Sequence, residues 1–71
     1  MRLVVINGPN LNMLGKREAG FYGTFSLADL EQKIRDHVGK RAELALFQSN
    51  TEGEIINFIH GLQADDRLII N

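Results

Sequence analysis

The sequence predicts an α/β protein built on a parallel sheet, and three observations carry that prediction. Apolar runs at Arg2–Ile6, Ala42–Phe47 and Arg67–Ile70 are separated by two segments of helical periodicity. The runs lack the polar alternation of a half-solvated strand, as expected where both faces are covered. Their order, β-α-β-α-β, is that of right-handed crossovers with helices packed over the sheet.

The first strand, Arg2-Leu-Val-Val-Ile6, is stopped by the turn residues Asn7-Gly8-Pro9-Asn10. From Asn10 to Thr24 no periodicity is visible, and Gly15, Gly20 and Gly23 punctuate polar and charged residues. A stretch of that length in a compact domain is a functional loop or a disordered one, and residues 10–24 read as a lid. Ser26 then offers an N-cap, with Asp29 as its capping-box partner. Leu27, Leu30, Ile34 and Val38 follow at spacings of three and four, and Gly39 is a C-cap. After the second strand, Gln48-Ser49-Asn50-Thr51 turns the chain, and Thr51 with Glu54 predicts a second capping box. Ile55, Ile56, Ile59 and Leu62 predict the buried face of the second helix, which Asp65-Asp66 ends. The third strand then runs to the last residues. With no helix after it, the domain reads as cut, 71 residues being one domain or less.

Composition narrows the function. Eight Lys+Arg against nine Asp+Glu give a net charge of −1, which makes no electrostatic case for nucleic acid or an anionic membrane. Without cysteine there is neither a disulfide framework nor a thiolate metal site. The apolar run Leu3–Ile6 is too short for a leader or a membrane helix, so a cytoplasmic protein is expected.

Open parallel sheets bind ligands outside the carboxyl ends of their strands, where this chain places Asn7–Asn12, Gln48–Asn50 and Asn71. A nucleotide is a poor fit there. Six residues separate Gly8 from Gly15, where a phosphate loop needs four, and Arg17 stands where its hydroxyl should be. Gly-x-Gly-x-x-Gly is also missing. Asn10 reads either as a turn residue or as an amide presented at the rim, donor and acceptor at once. Arg17 and Tyr22 lie five residues apart on the same loop. A guanidinium favours the ionised phenol, so the pair reads either as surface residues or as a base assembled when the loop shuts. His37 and His60 read as helix-end and packing residues, and no His/Asp/Glu spacing suggests a metal.

The stretch Ile6-Asn-Gly-Pro-Asn-Leu-Asn-Met-Leu-Gly-Lys-Arg-Glu18 with Phe21-Tyr-Gly23 resembles the signature of type II 3-dehydroquinate dehydratases. Gln48-Ser-Asn-Thr-Glu-Gly53, Phe58-Ile-His60 and Ile69-Ile-Asn71 are similar to the family's next blocks, in the same order. The resemblance covers the whole chain. It implies a flavodoxin-like three-layer fold of which residues 1–71 are the N-terminal part. It implies anti elimination of water from 3-dehydroquinate through an enolate, in the shikimate pathway, with neither metal nor organic cofactor. Tyr22 matches the family's base, Arg17 the arginine that lowers the phenol's pKa, and Asn10 the asparagine that orients a water near the enolate oxygen. Asn71 matches a substrate-binding asparagine. The family's general acid is a histidine that follows in the missing part, together with a substrate-binding arginine, and His60 does not match it. Ala19-Gly20-Phe21 departs from the pattern, since many members carry a proline there. The family forms trimers stacked into dodecamers. The competing readings are a catalytically dead binding module of the same fold and a small nucleotide binder.

Overall fold

The computed structural model describes residues 1–15 and 25–71. Three parallel strands, β1 (Arg2–Asn7), β2 (Glu43–Gln48) and β3 (Asp66–Ile70), form one sheet in the order β2-β1-β3. Helices α1 (Leu27–Val38) and α2 (Glu52–His60) make the two crossovers. The expected order of elements is therefore observed, and the Asn10–Thr24 segment begins with a 3-10 turn at Leu11–Met13 rather than irregular chain.

β1 is central because it alone is paired on both edges. Arg2 to Asn7 align with Glu43 to Gln48 on one side, and Arg2 to Ile6 with Asp66 to Ile70 on the other. Alternation sends Val4 and Ile6 to one face and Leu3 and Val5 to the other. α2 covers the first face, where the Phe58 ring stacks on Phe47, the register partner of Ile6, at 4.2 Å between centroids. α1 covers the second, where Ile34 and Val38 border a groove with Leu3 and Val5. With both edges and both faces occupied, Val4, Val5 and Ile6 are at most 4% exposed. They form the core together with Val38.

Local chemistry sets the ends of α1. The Ser26 hydroxyl accepts the Asp29 backbone N–H at 3.1 Å, and the Asp29 carboxylate accepts the Ser26 N–H at 2.9 Å. This is the expected capping box, and that backbone bond from Ser26 is what chiefly holds the Asp29 carboxyl below its ordinary pKa. Gly39 closes the helix with φ of 56°, in the region that disfavours side chains.

α2 departs from expectation at both its face and its end. It stops at His60 rather than reaching Leu62, and Ile56 is 43% exposed. The half-buried face is Ile55, Phe58 and Ile59, at spacings of three and four, and Ile56 lies about 100° off it, while the Phe58 ring meets Phe47.

A two-point ion pair ties the start of β1 to the start of β3. Arg2 Nε donates to Asp66 Oδ1 at 3.1 Å and Nη2 to Oδ2 at 2.7 Å. The guanidinium, and then the Gln63 backbone N–H at 2.8 Å, hold the Asp66 carboxyl below its ordinary range. A carboxyl whose pKa is lowered by folding contributes stability above its unfolded value and loses it as the pH falls through the folded one. Thermal unfolding followed from pH 7 downward should therefore show a loss below about pH 4 that shrinks in Asp66→Asn. Parallel curves for the two proteins would exclude this pair as a source of the acid sensitivity.

Candidate functional site

The carboxyl ends of the three strands converge on one polar rim, held together by the ladders that run past the last apolar residues. Ser49 N–H donates to the Asn7 carbonyl at 3.2 Å, and Asn71 N–H to the Ile6 carbonyl at 2.8 Å. Gly8 N–H returns to the Asn71 carbonyl at 2.9 Å. A Cβ at Gly8 would lie 3.3 Å from that oxygen, so a side chain there would press the two strand ends apart.

Asn7 is the residue on which the rim stands. It was expected in the turn, but β1 continues through it and leaves it fully buried. The ladder partners on both sides extend one step beyond Ile6 and draw it in. Its Oδ1 accepts from Asn71 Nδ2 at 3.2 Å, so a buried amide orients an exposed one. Its Nδ2 has no partner among the described residues, nor does the buried Oδ1 of Asn12. An unpaired buried polar group costs about 1–3 kcal/mol, so each of these two atoms calls for a partner that the described residues do not supply.

Asn10 stands beyond the turn with φ of 71°, a left-handed conformation that asparagine tolerates better than most residues. Its N–H donates to Asn50 Oδ1 at 2.8 Å and its carbonyl accepts from Met13 N–H at 2.9 Å. The side chain does not cap the 3-10 turn. The backbone is thus fixed, while the side-chain amide is unpaired among the described residues. Gln48 Nε2 completes the arrangement, donating to Asn50 Oδ1 and to the Gly8 carbonyl, each at 3.2 Å.

The second predicted capping box does not form. Thr51 is the N-cap of α2 but makes no side-chain cap bond. Glu54 instead accepts from the buried Ser49 hydroxyl at 2.6 Å, while Ser49 Oγ accepts the Thr51 N–H at 3.0 Å. Ser49 wins because the β2 ladder carries it inward, to a point between the strand end and the helix start.

Of the four residues singled out by sequence, Asn10 and Asn71 belong to this rim. Arg17 and Tyr22, with the rest of the expected lid from residue 16 to 24, lie outside the described residues. Asn7, Ser49 and Asn50 were not singled out individually. The available signal was a polar residue directly after each apolar run, which the turn reading absorbed. Among the described residues no group of His, Asp or Glu is placed to hold a metal ion. Nor is any described helix long and apolar enough to cross a membrane. Chemically, the amides can bind hydroxyl and carbonyl groups of a small ligand, but they cannot remove a proton from carbon.

A three-stranded parallel sheet with helices over it and a polar rim at its strand ends is the arrangement of the open α/β class, whose ligand sites lie outside the carboxyl ends of the strands. The family model described as Dehydroquinase class II matches residues 1–71, and the chain belongs to that family. It is 51% identical to a 3-dehydroquinate dehydratase of Thermotoga neapolitana over 100% of this chain and 49% of that protein. It is also 51% identical to a catabolic 3-dehydroquinase of Meyerozyma guilliermondii, over 90% of this chain and 46% of that one. The structure superposes on a type II dehydroquinase from Butyrivibrio crossotus with a TM-score of 0.85 and 40% identity, covering 100% of this chain and 51% of that one. The chain thus spans about half the length of the relatives it matches.

The burial of Asn7 can be tested by charge. Asn7→Asp keeps the acceptor for Asn71 but buries a carboxylate with no cation beside it among the described residues, which raises its pKa in the folded state. The variant should lose at least about 2 kcal/mol at pH 7 in urea unfolding. The deficit should narrow as the pH is lowered and the carboxyl takes up its proton. A deficit independent of pH would mean that position 7 is solvated.

Proposed function

We propose that this chain is the N-terminal half of a type II 3-dehydroquinate dehydratase, which eliminates water from 3-dehydroquinate to give 3-dehydroshikimate. The family match over the entire chain carries the proposal. The rim supports it, because a polyhydroxylated ring needs amides that both donate and accept.

In this reading Tyr22, as phenolate, removes the proton next to the ketone, and Arg17 lowers its pKa and stabilises the developing negative charge. Asn10 orients a water near the enolate oxygen, and Asn71 binds substrate. Residues 10–24 act as a lid that brings base and cation in together and excludes water. The general acid is a histidine of the other half, and no organic cofactor or metal takes part. The enzyme works in the cytoplasm, in aromatic amino acid biosynthesis, as a homo-oligomer of trimers assembled into a dodecamer. The 71 residues alone are inactive.

The test is turnover by the full-length protein, followed through the conjugated product's absorbance. Tyr22→Phe should lower kcat by about 10²–10⁴-fold with little change in KM, the usual weight of a general base. Near-normal turnover would remove Tyr22 from its role, and none in the unsubstituted protein would leave a catalytically dead binding module. Arg17→Ala should move the rising limb of the pH–rate profile to higher pH, because the phenol then ionises less readily. An unshifted limb would refute that assignment.

A further inference from the structure

The turn that carries Asn10 is held from 40 residues away by one atom. Asn50 Oδ1 receives the Asn10 backbone N–H at 2.8 Å and Gln48 Nε2 at 3.2 Å. A backbone N–H can only donate, so the oxygen of the Asn50 amide, not its nitrogen, must face the turn. The Asn10 carbonyl is taken by Met13. With both backbone groups committed, the direction of the Cα–Cβ bond is set, and with it the point from which the side-chain amide reaches toward the rim. The bond from Asn50 is the part of that restraint that comes from another strand. Gln48 reinforces it by also bonding the Gly8 carbonyl, two residues before Asn10.

We propose that Asn50 is a positioning residue: its side-chain oxygen fixes the Asn10 backbone so that the Asn10 amide is presented at the rim in the orientation the reaction uses. This rests on the dehydratase reading given above for the role of Asn10, but the bond itself does not. Asn50 touches no reacting atom in this scheme. It acts because a residue displaced by about 1 Å can cost about 10²-fold in rate.

Two variants separate the oxygen's role from mere occupancy. Asn50→Asp keeps an oxygen for both donors, whereas Asn50→Ala removes it. Amide hydrogen exchange in the full-length protein should show the Asn10 N–H exchanging about tenfold faster in Asn50→Ala, the weight of one lost hydrogen bond. It should be close to the unsubstituted rate in Asn50→Asp. The Val5 amide, deep in the sheet, should be unchanged in both and certifies that the fold is intact. In turnover, Asn50→Ala should lower kcat about 10- to 100-fold with KM nearly constant, and Asn50→Asp should recover most of the loss. A protected Asn10 amide in Asn50→Ala would overturn the proposal, as would a freely exchanging one with undiminished kcat. If the unsubstituted protein does not dehydrate 3-dehydroquinate, the functional reading fails, and Asn10 exchange alone then decides whether Asn50 holds the turn.

Discussion

Everything in this structure hangs from β1 being paired on both edges and covered on both faces. A strand so enclosed must be apolar through Val4, Val5 and Ile6, and its backbone must be spent on the two ladders. At its carboxyl end the same ladders continue for one more step, through the carbonyls of Ile6 and Asn7 and the N–H of Gly8. That extra step turns a core strand into a site. It carries Asn7 inside, and it brings the ends of β2 and β3 to the same level as the end of β1. Register is therefore not a detail of folding here. A slip of one residue on either edge would exchange the faces of a whole strand and dismantle the rim with it.

The rim is a layered arrangement of amides. Asn7 is buried and orients Asn71, while Asn50 at the end of β2 restrains Asn10 at the far side of the turn. In each pair, one amide sets the position of the residue that the proposed function assigns to the ligand. Amides suit this work because each offers a donor and an acceptor without a charge that would have to be desolvated. They also define what the rim lacks. Proton removal from carbon needs a base that is strong and kept dry, and a phenolate beside a guanidinium is one solution. The proposed role of Arg17 and Tyr22 therefore complements the rim's chemistry rather than duplicating it.

Much of this was legible in the sequence because its signals are local. Three apolar runs, the Ser26–Asp29 box and the Gly39 stop each depend on a few neighbouring residues, and each behaves as its chemistry dictates. Errors arose where a distant partner decided the outcome. Asn7 looks like a turn residue until two flanking strands draw it into the sheet. Glu54 stands at the spacing of a capping box, yet Ser49, delivered by the β2 ladder, captures its carboxylate. Ile56 sits three residues before Ile59 but lies off the face that Ile55, Phe58 and Ile59 turn inward, where the Phe58 ring meets Phe47 on the sheet. The link between Asn50 and Asn10 spans 40 residues and leaves no periodic trace.

The proposed chemistry also accounts for a site divided between two parts of a protein. In an anti elimination the proton and the hydroxyl leave from opposite faces of the ring, so base and acid must approach from opposite sides. In the proposed enzyme the base, Tyr22, belongs to the loop between β1 and α1. In that enzyme the acid belongs to the other half of the protein, and a fold that adds strands beside β3 has room to place it. β3 is suited to such an addition. It is paired on one edge only among the described residues, and it leaves Ile69 51% and Ile70 62% exposed. Apolar strand edges of this kind are ordinarily covered or paired. In the proposed enzyme, the half that covers this edge would also be the half that carries the acid. One packing step would then complete both the sheet and the acid–base pair.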